Sequence, residues 1–246
     1  TTATSSTYQT TEIVDQLISA MGSISGFTIT DKGSDIYISN TTDFTIEATD
    51  GYGNQASQVI KSEAQKFADL PSKSVNGMVV EITGDASNNF DNYYVKFVSD
   101  GATDEGQWQE TVKPSLKNTI DSATMPHLLV RRADGQFQFT PANGSTYTIS
   151  GTTYTNPLWG DRVVGDETSA PNPTFIGNKL SDIFFHRNRL GFISGESIEM
   201  SRAGEFFKFY PETVTTILDS DNISVNVSHV KVSNLRHAIP FNEELL

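Results

Sequence analysis

The stretch SDIFFHRNRLGFISGESIEMSRAGEFFKFYP, residues 181–211, holds three arginines, one histidine, three glutamates and seven aromatic rings in one short run. Ile183, Phe185, Arg187, Arg189 and Phe192 cannot all sit on one face of a single strand, because Arg187-Asn188-Arg189 interrupts the alternation and Gly191 follows. The reading that reconciles them is a strand, a tight Arg-Asn-Arg turn, and a second strand from Leu190. Planar guanidiniums at such a corner hold backbone carbonyls or carboxylates such as Glu196, Glu199 or Glu205. Phe184, Phe185, Phe206, Phe207 and Phe209 supply the apolar bulk that packs around them. Arg187, Asn188, Arg189, Phe206, Phe207 and Phe209 are therefore the candidate site residues, as a structural corner first and as a partner interface second. Catalysis has no support in the motif.

Working outward, the text from Thr174 onward continues as short strands at roughly ten-residue spacing, which suits a propeller or a sandwich. No period of 40 to 50 residues repeats, so the spacing does not choose between them. Upstream, WGDRVVGDETSAPNP is rich in Gly, Pro and charge and reads as a linker or long surface loop over 158–173. Before it, MVVEITG, YYVKFVS, QWQETV, HLLVRR, QFQFTP and STYTISGTTYT are period-two strand candidates with turns between them, an antiparallel module over 74–157. Residues 1–73 read as a small α+β module. A helix begins at Thr10 or Thr11 as N-cap, with Ile13, Leu17, Ile18 and Met21 at helical spacing; strands FTIT, DIYIS and FTIEAT follow, and a second helix spans about Gln55 to Ala68. The fold class is thus mainly β with a small α+β module.

Composition narrows function. Of 246 residues, 36% are hydrophobic and 19% charged, as in a folded, rather polar protein. No apolar run approaches the ~18 residues of a membrane span, and no basic n-region with an apolar core opens the chain. With no cysteine, disulfides, thiolate nucleophiles and zinc knuckles are excluded. The chain starts TTATSS and stops in an apolar run, and reads as a piece of a longer protein. The net charge is −13, and residues 1–73 carry four basic against nine acidic side chains, 74–173 six against twelve, and 174–246 seven against nine. Such a surface does not grip a phosphate backbone, which needs clustered Lys and Arg.

Several motifs invite chemistry and do not sustain it. G-x-G-x-x-A at 51–56 formally matches a dinucleotide fingerprint, but the strand before it has a polar face, and Asp50 beside the glycines repels a pyrophosphate. The loop 84–92 offers Asp85, Asn88, Asn89 and Asp91 without the EF-hand register. Asp219 and Asp221 are paired carboxylates with no cleft in evidence and read as a solvated loop. The histidines at 127, 186, 229 and 237 have no metal-binding spacing, and no G-x-S-x-G elbow occurs. No cofactor is expected.

The runs FFHRNRLGFISGESIEMSRAGEFFKFYP, LDSDNISVNVSH and LRHAIPFNEELL, with WGDRVVGDE, TMPHLLVRRADGQFQF and FTIEATDGYGNQA upstream, resemble the tail tubular protein B, or nozzle, family of T7-type short-tailed bacteriophages. The resemblance covers most of the chain. It implies a virion protein of the phage tail, assembled in the host cytoplasm. Such a protein forms a six-fold ring with itself beneath the tail adaptor protein, in company with the tail fibres, and gates DNA ejection. It further implies inserted platform-type domains followed by the first strands of a β-propeller, with 174–246 as an incomplete part of it. Viral DNA would pass the channel without specific binding, and acidic channel faces would let it slide. The host envelope is a further partner in this reading. The alternative is an envelope-glycan-binding or glycan-hydrolysing tail domain, with Tyr93, Tyr94, Trp108 and Trp159 as exposed sugar platforms.

Overall fold

A computed structural model of the chain describes residues 9–53, 56–84, 92–101, 105–227, 234–241 and 244–245. Among the described residues there are sixteen strands, one α-helix and one 3-10 turn, so the protein is mainly β. No helix among them is long and apolar enough to cross a membrane. The contacts cluster into two units, Thr1–Thr111 and Val112–Leu246.

In the first unit, α1 (Thr10–Met21) begins one residue earlier than its caps suggested: Gln9 is the N-cap and its side chain makes no capping bond. The helix ends where Gly22 turns left-handed (φ 60°) and donates its N–H to the Ile18 carbonyl. Val14 is buried and Ile18 and Met21 are half-buried one and two turns on, whereas Ile13 and Leu17 are exposed. The inward stripe is therefore rotated from the one expected, and α1 packs on β1 (Phe27–Asp31). β1 pairs antiparallel with β2 (Ile36–Asn40) from Phe27↔Asn40 to Asp31↔Ile36.

Two expectations fail here. FTIEAT forms no strand: Phe44 stacks edge-on against Phe27 at 5.0 Å, and Lys61 bonds the Phe44 carbonyl at 2.6 Å, taking up groups a ladder would have used. Nor does a helix form over the described part of 55–68. Instead β3 (Glu63–Ala64) pairs in parallel with β4 (Val79–Ile82), the Glu81 N–H bonding the Ser62 carbonyl at 2.8 Å and the Thr83 N–H the Ala64 carbonyl at 3.0 Å. A 3-10 turn (Phe67–Asp69) follows β3. Edge pairing and burial of Ala64 against Val80, Ile82 and Val95 override a weak helical pattern that contains β-branched Val59 and Ile60. β4 continues antiparallel into β5 (Tyr93–Ser99) and β6 (Gly106–Thr111). Trp108 packs edge-on to buried Phe97 at 5.2 Å and donates Nε1–H to the Pro71 carbonyl at 2.7 Å.

In the second unit, β7 (Leu128–Arg131) and β8 (Phe137–Thr140) form one hairpin. The run 145–155, expected as one strand, is a hairpin too, β9 (Thr146–Ile149) and β10 (Thr152–Thr155), turned by Ser150 and Gly151 with φ of 49° and 83°. A four-stranded antiparallel meander follows: β11 (Asp182–His186), β12 (Arg189–Ser194), β13 (Ser197–Met200) and β14 (Ile223–Asn226). A last pair, β15 (Pro240–Phe241) and β16 (Glu244–Leu245), closes the described chain.

The meander is covered on both faces. On one lies the cluster of Met125, Ala142, Trp159, Phe175, Phe192 and Phe209, and on the other Phe184, Ile193 and Met200 beneath Leu235 and Ala238. Residues 158–173 are irregular, as expected, but they are not a surface loop: Trp159 and Arg162 are 1% exposed and Ala170 is fully buried. The sequence reading places module boundaries at 73/74 and 157/158. In the structure the β3–β4 pairing crosses the first and the aromatic cluster crosses the second, while the two units divide at Thr111.

Candidate structural corner around the Arg187–Arg189 turn

The strand, turn and strand read from the sequence are present. His186 pairs with Arg189, leaving Arg187 and Asn188 as a two-residue turn, both left-handed with φ of 45° and 59°. That is the type I′ geometry whose twist matches a hairpin. Asn188 suits it, and an arginine at the first position accepts strain of about 1 kcal/mol to stand there. Both residues are exposed at the tip, and the Asn188 carbonyl is bonded by the Gly204 N–H at 2.8 Å.

Arg189 turns inward and is 6% exposed. Its guanidinium binds carbonyls only: Nη1 donates to Ser201 (2.8 Å), Ser220 (3.3 Å) and Asp221, and Nη2 to Asp219 (2.6 Å). Of the two acceptor types expected, backbone carbonyls are the ones used. The loop 218–221 is thereby pinned to the start of β12, and Asp221 completes the pin. Its carboxylate accepts the Glu212 N–H at 3.2 Å and the Leu218 N–H at 2.8 Å, so the expected solvated loop is a bonded one. Glu205 instead pairs with Arg202 at 3.0 Å and with Lys208. The Lys208 hydrogen bond is the main cause that holds its carboxyl below the usual range. Glu199 pairs with no arginine among the described residues; its Oε1 takes the Thr174 N–H, the Thr174 hydroxyl and the Ser224 hydroxyl at 2.8–3.0 Å.

Gly191 is required for the packing. A Cβ there would stand 2.2–2.6 Å from the Phe184 ring, which lies across the glycine from the neighbouring strand. The candidate phenylalanines divide in two. Phe209 is buried among Phe175 (4.9 Å, edge-on), Phe192 and Trp159, and Phe207 meets Trp159 edge-on at 5.2 Å. Phe206 is half-buried and pairs with exposed Phe185 at 5.0 Å on the flank of the hairpin. An apolar groove of about 280 Å³ opens beside them, lined by Pro126, Leu128, Ile183, Phe185 and Phe206 among others.

Sequence reasoning missed Arg162. It holds the Lys117 carbonyl (3.3 Å) and Asn172 Oδ1 (2.7 Å) and lies over the Tyr210 ring at 5.1 Å, tying the irregular 158–173 segment to the aromatic cluster. The signal was a tryptophan two places before an aspartate-arginine pair inside text otherwise typical of a loop.

The tempting motifs lose their chemistry in the fold. Asp50 folds over its own glycine turn and takes the Tyr52, Ala56 and Ser57 N–H groups at 2.7–2.9 Å, filling the place an anion would occupy. Tyr94 and Trp159 are 5% and 1% exposed, and Tyr93 and Trp108 are half-buried, so none of the four aromatics expected as exposed platforms stands exposed. Asp85, Asn88, Asn89 and Asp91 lie outside the described residues. Among the described residues, no group of three His, Cys, Asp or Glu side chains is placed to hold a metal ion.

What the arrangement does is mechanical: buried cations and packed rings lock a hairpin and two irregular segments to one sheet. Comparison with known proteins gives this context. The model of the bacteriophage nozzle protein family matches residues 1–246. Tail tubular protein gp12 of Escherichia phage T7 is 39% identical over 197 residues, which are 80% of this chain and 22% of that protein. The chain thus spans about a fifth of the length of the relative it matches. On the strength of a family match along its full length, the chain belongs to the bacteriophage nozzle protein family.

Proposed function

We propose that this chain is part of a structural protein of a short-tailed phage virion, in the tail tube, and that it conducts DNA during ejection without catalysing a reaction. The observation that carries this reading is the family match over 1–246, supported by 39% identity to a protein named for the tail tube. In this reading copies of the protein form a six-fold ring below the tail adaptor, near the tail fibres, and assembly takes place in the host cytoplasm. The four-stranded meander β11–β14 supplies the first strands of a β-propeller, since a propeller blade is a sheet of that size and connectivity. Arg189, Phe207 and Phe209 serve as the joint that holds this sheet. Arg187 and Asn188 at the exposed tip, with Phe206 and Phe185 on its flank, face a neighbouring chain.

Immuno-electron microscopy of intact virions with antibodies to these 246 residues tests the reading. Label confined to the tail tube is expected. Label on side fibres or spikes would point to the glycan-binding alternative, and particles without label would remove the virion assignment.

A further inference from the structure

The row Ile183, Phe192, Glu199 and Ser224 crosses all four strands of the meander on one face, each residue opposite the next. At the β14 end of this row lies a second pocket of about 280 Å³, distinct from the apolar groove at the β11 end. Glu199 stands in its wall and is 2% exposed. Its Oε1 is saturated by the three donors from Thr174 and Ser224, while Oε2 has no hydrogen-bond or ion-pair partner among the described residues. Oε2 is thus the oxygen of this carboxylate left open to a donor from outside the fold.

The rest of the pocket indicates which cation. Pro171, Pro173, Phe209, Pro211 and Ile217 give it apolar stretches of wall, set among polar ones such as Asn172, Thr213, Thr216 and Asn222. Asp221 also lines it, but both its carboxylate oxygens are held by backbone N–H groups and its carbonyl by Arg189, so Glu199 is the acidic side chain there with an oxygen to offer. A divalent ion held by the protein itself draws on a cluster of acidic side chains, and no group of three His, Cys, Asp or Glu side chains is placed to hold one among the described residues. A long basic side chain needs what is present: apolar walls for its methylenes and one unoccupied carboxylate oxygen for its N–H donors.

We propose that this pocket is a receptor for a lysine or arginine side chain presented by another polypeptide, with Glu199 Oε2 as the acceptor. The inference stands on the pocket alone and is independent of assembly into a tail ring. The test is a titration of the 246-residue chain followed by the backbone N–H signals of Thr174 and Ser224. The probes are N-acetyl-lysinamide, N-acetyl-argininamide, N-acetyl-norleucinamide, magnesium chloride and calcium chloride. Saturable shifts with a basic probe are expected, weakened at least about tenfold by Glu199→Gln, which keeps the shape and the acceptor for Thr174. Thr216→Trp, at an exposed lining position, is expected to block the same shifts even if Glu199→Gln disturbs folding. Equal shifts from the norleucine probe, shifts from the metals alone, or no shift with either basic probe would each overturn the proposal.

Discussion

At the scale of single residues, Arg189 decides whether the corner exists. Four carbonyls from two segments point at one guanidinium, and only a planar fork satisfies acceptors spread over such an arc. Arg189→Lys brings a point charge that reaches one segment at a time, with an expected loss of about 1–2 kcal/mol. Arg189→Met leaves all four carbonyls without their cation, and about 3 kcal/mol or more is expected to go. Denaturant unfolding in a Trp108→Phe background measures this, because Trp159 then remains as the single tryptophan and sits in the cluster beside the corner. An unchanged midpoint for Arg189→Met would mean that the loop 218–221 holds itself. The turn was legible from the sequence because an interrupted alternation has few solutions, but nothing in it said which of the two arginines turns inward. The identity of the acceptors was not legible either, since carbonyls of residues 201 and 219–221 come from distant segments whose approach no local pattern encodes.

At the scale of elements, what failed to be legible shares one cause. The helix expected over 55–68 became a strand because β4 offered an open edge fifteen residues on, and edge pairing lies outside any local window. The segment 158–173 looked like a linker because its composition reports the absence of regular structure correctly and says nothing of burial. Hairpins, whose partners are adjacent in sequence, were read with less error, although 145–155, expected as one strand, folds into two. The segment after β14 is tied to the meander in a way that pH can loosen. Asp182, at the start of β11, accepts the Ala238 N–H at 3.1 Å and the Ile183 N–H at 2.9 Å, with His237 at 3.4 Å. The Ala238 N–H is the largest cause that holds its carboxyl below the usual range, followed by the Ile183 N–H. A carboxyl depressed in the folded state stabilises above its unfolded pKa of about 3.9, and that contribution is lost as pH falls through the lower folded value. Hydrogen exchange at Ala238, corrected for its intrinsic rate, is therefore expected to accelerate below about pH 4, and in Asp182→Asn to be fast at neutral pH as well. Equal protection in the variant and the parent would show that Leu235 and Ala238 hold the segment by packing alone.

At the scale of the whole molecule, charge divides along the same line as the contacts. Residues 1–111 carry five Lys and Arg against sixteen Asp and Glu, whereas residues 112–246 carry twelve against fourteen. The nearly balanced unit spends cations internally: Arg162 and Arg189 are buried, and Arg202 is paired with Glu205 and Glu212. Basic residues in the sequence are thus not a basic surface, and this is why charge counts misjudge a partner when burial is ignored. Affinity for duplex DNA requires exposed Lys and Arg in register with phosphates, each releasing a condensed counterion. The proposed passage of DNA calls for the opposite, a surface that repels over a Debye length of about 8 Å at physiological salt. The 246-residue chain is accordingly expected to leave the mobility of a 40-base-pair duplex unchanged in an electrophoretic assay, even near 20 mM salt, where the field reaches nearly three times as far. Retardation that vanishes steeply with added salt would mean that the few exposed cations form a phosphate-binding track, and DNA would then be gripped rather than let pass.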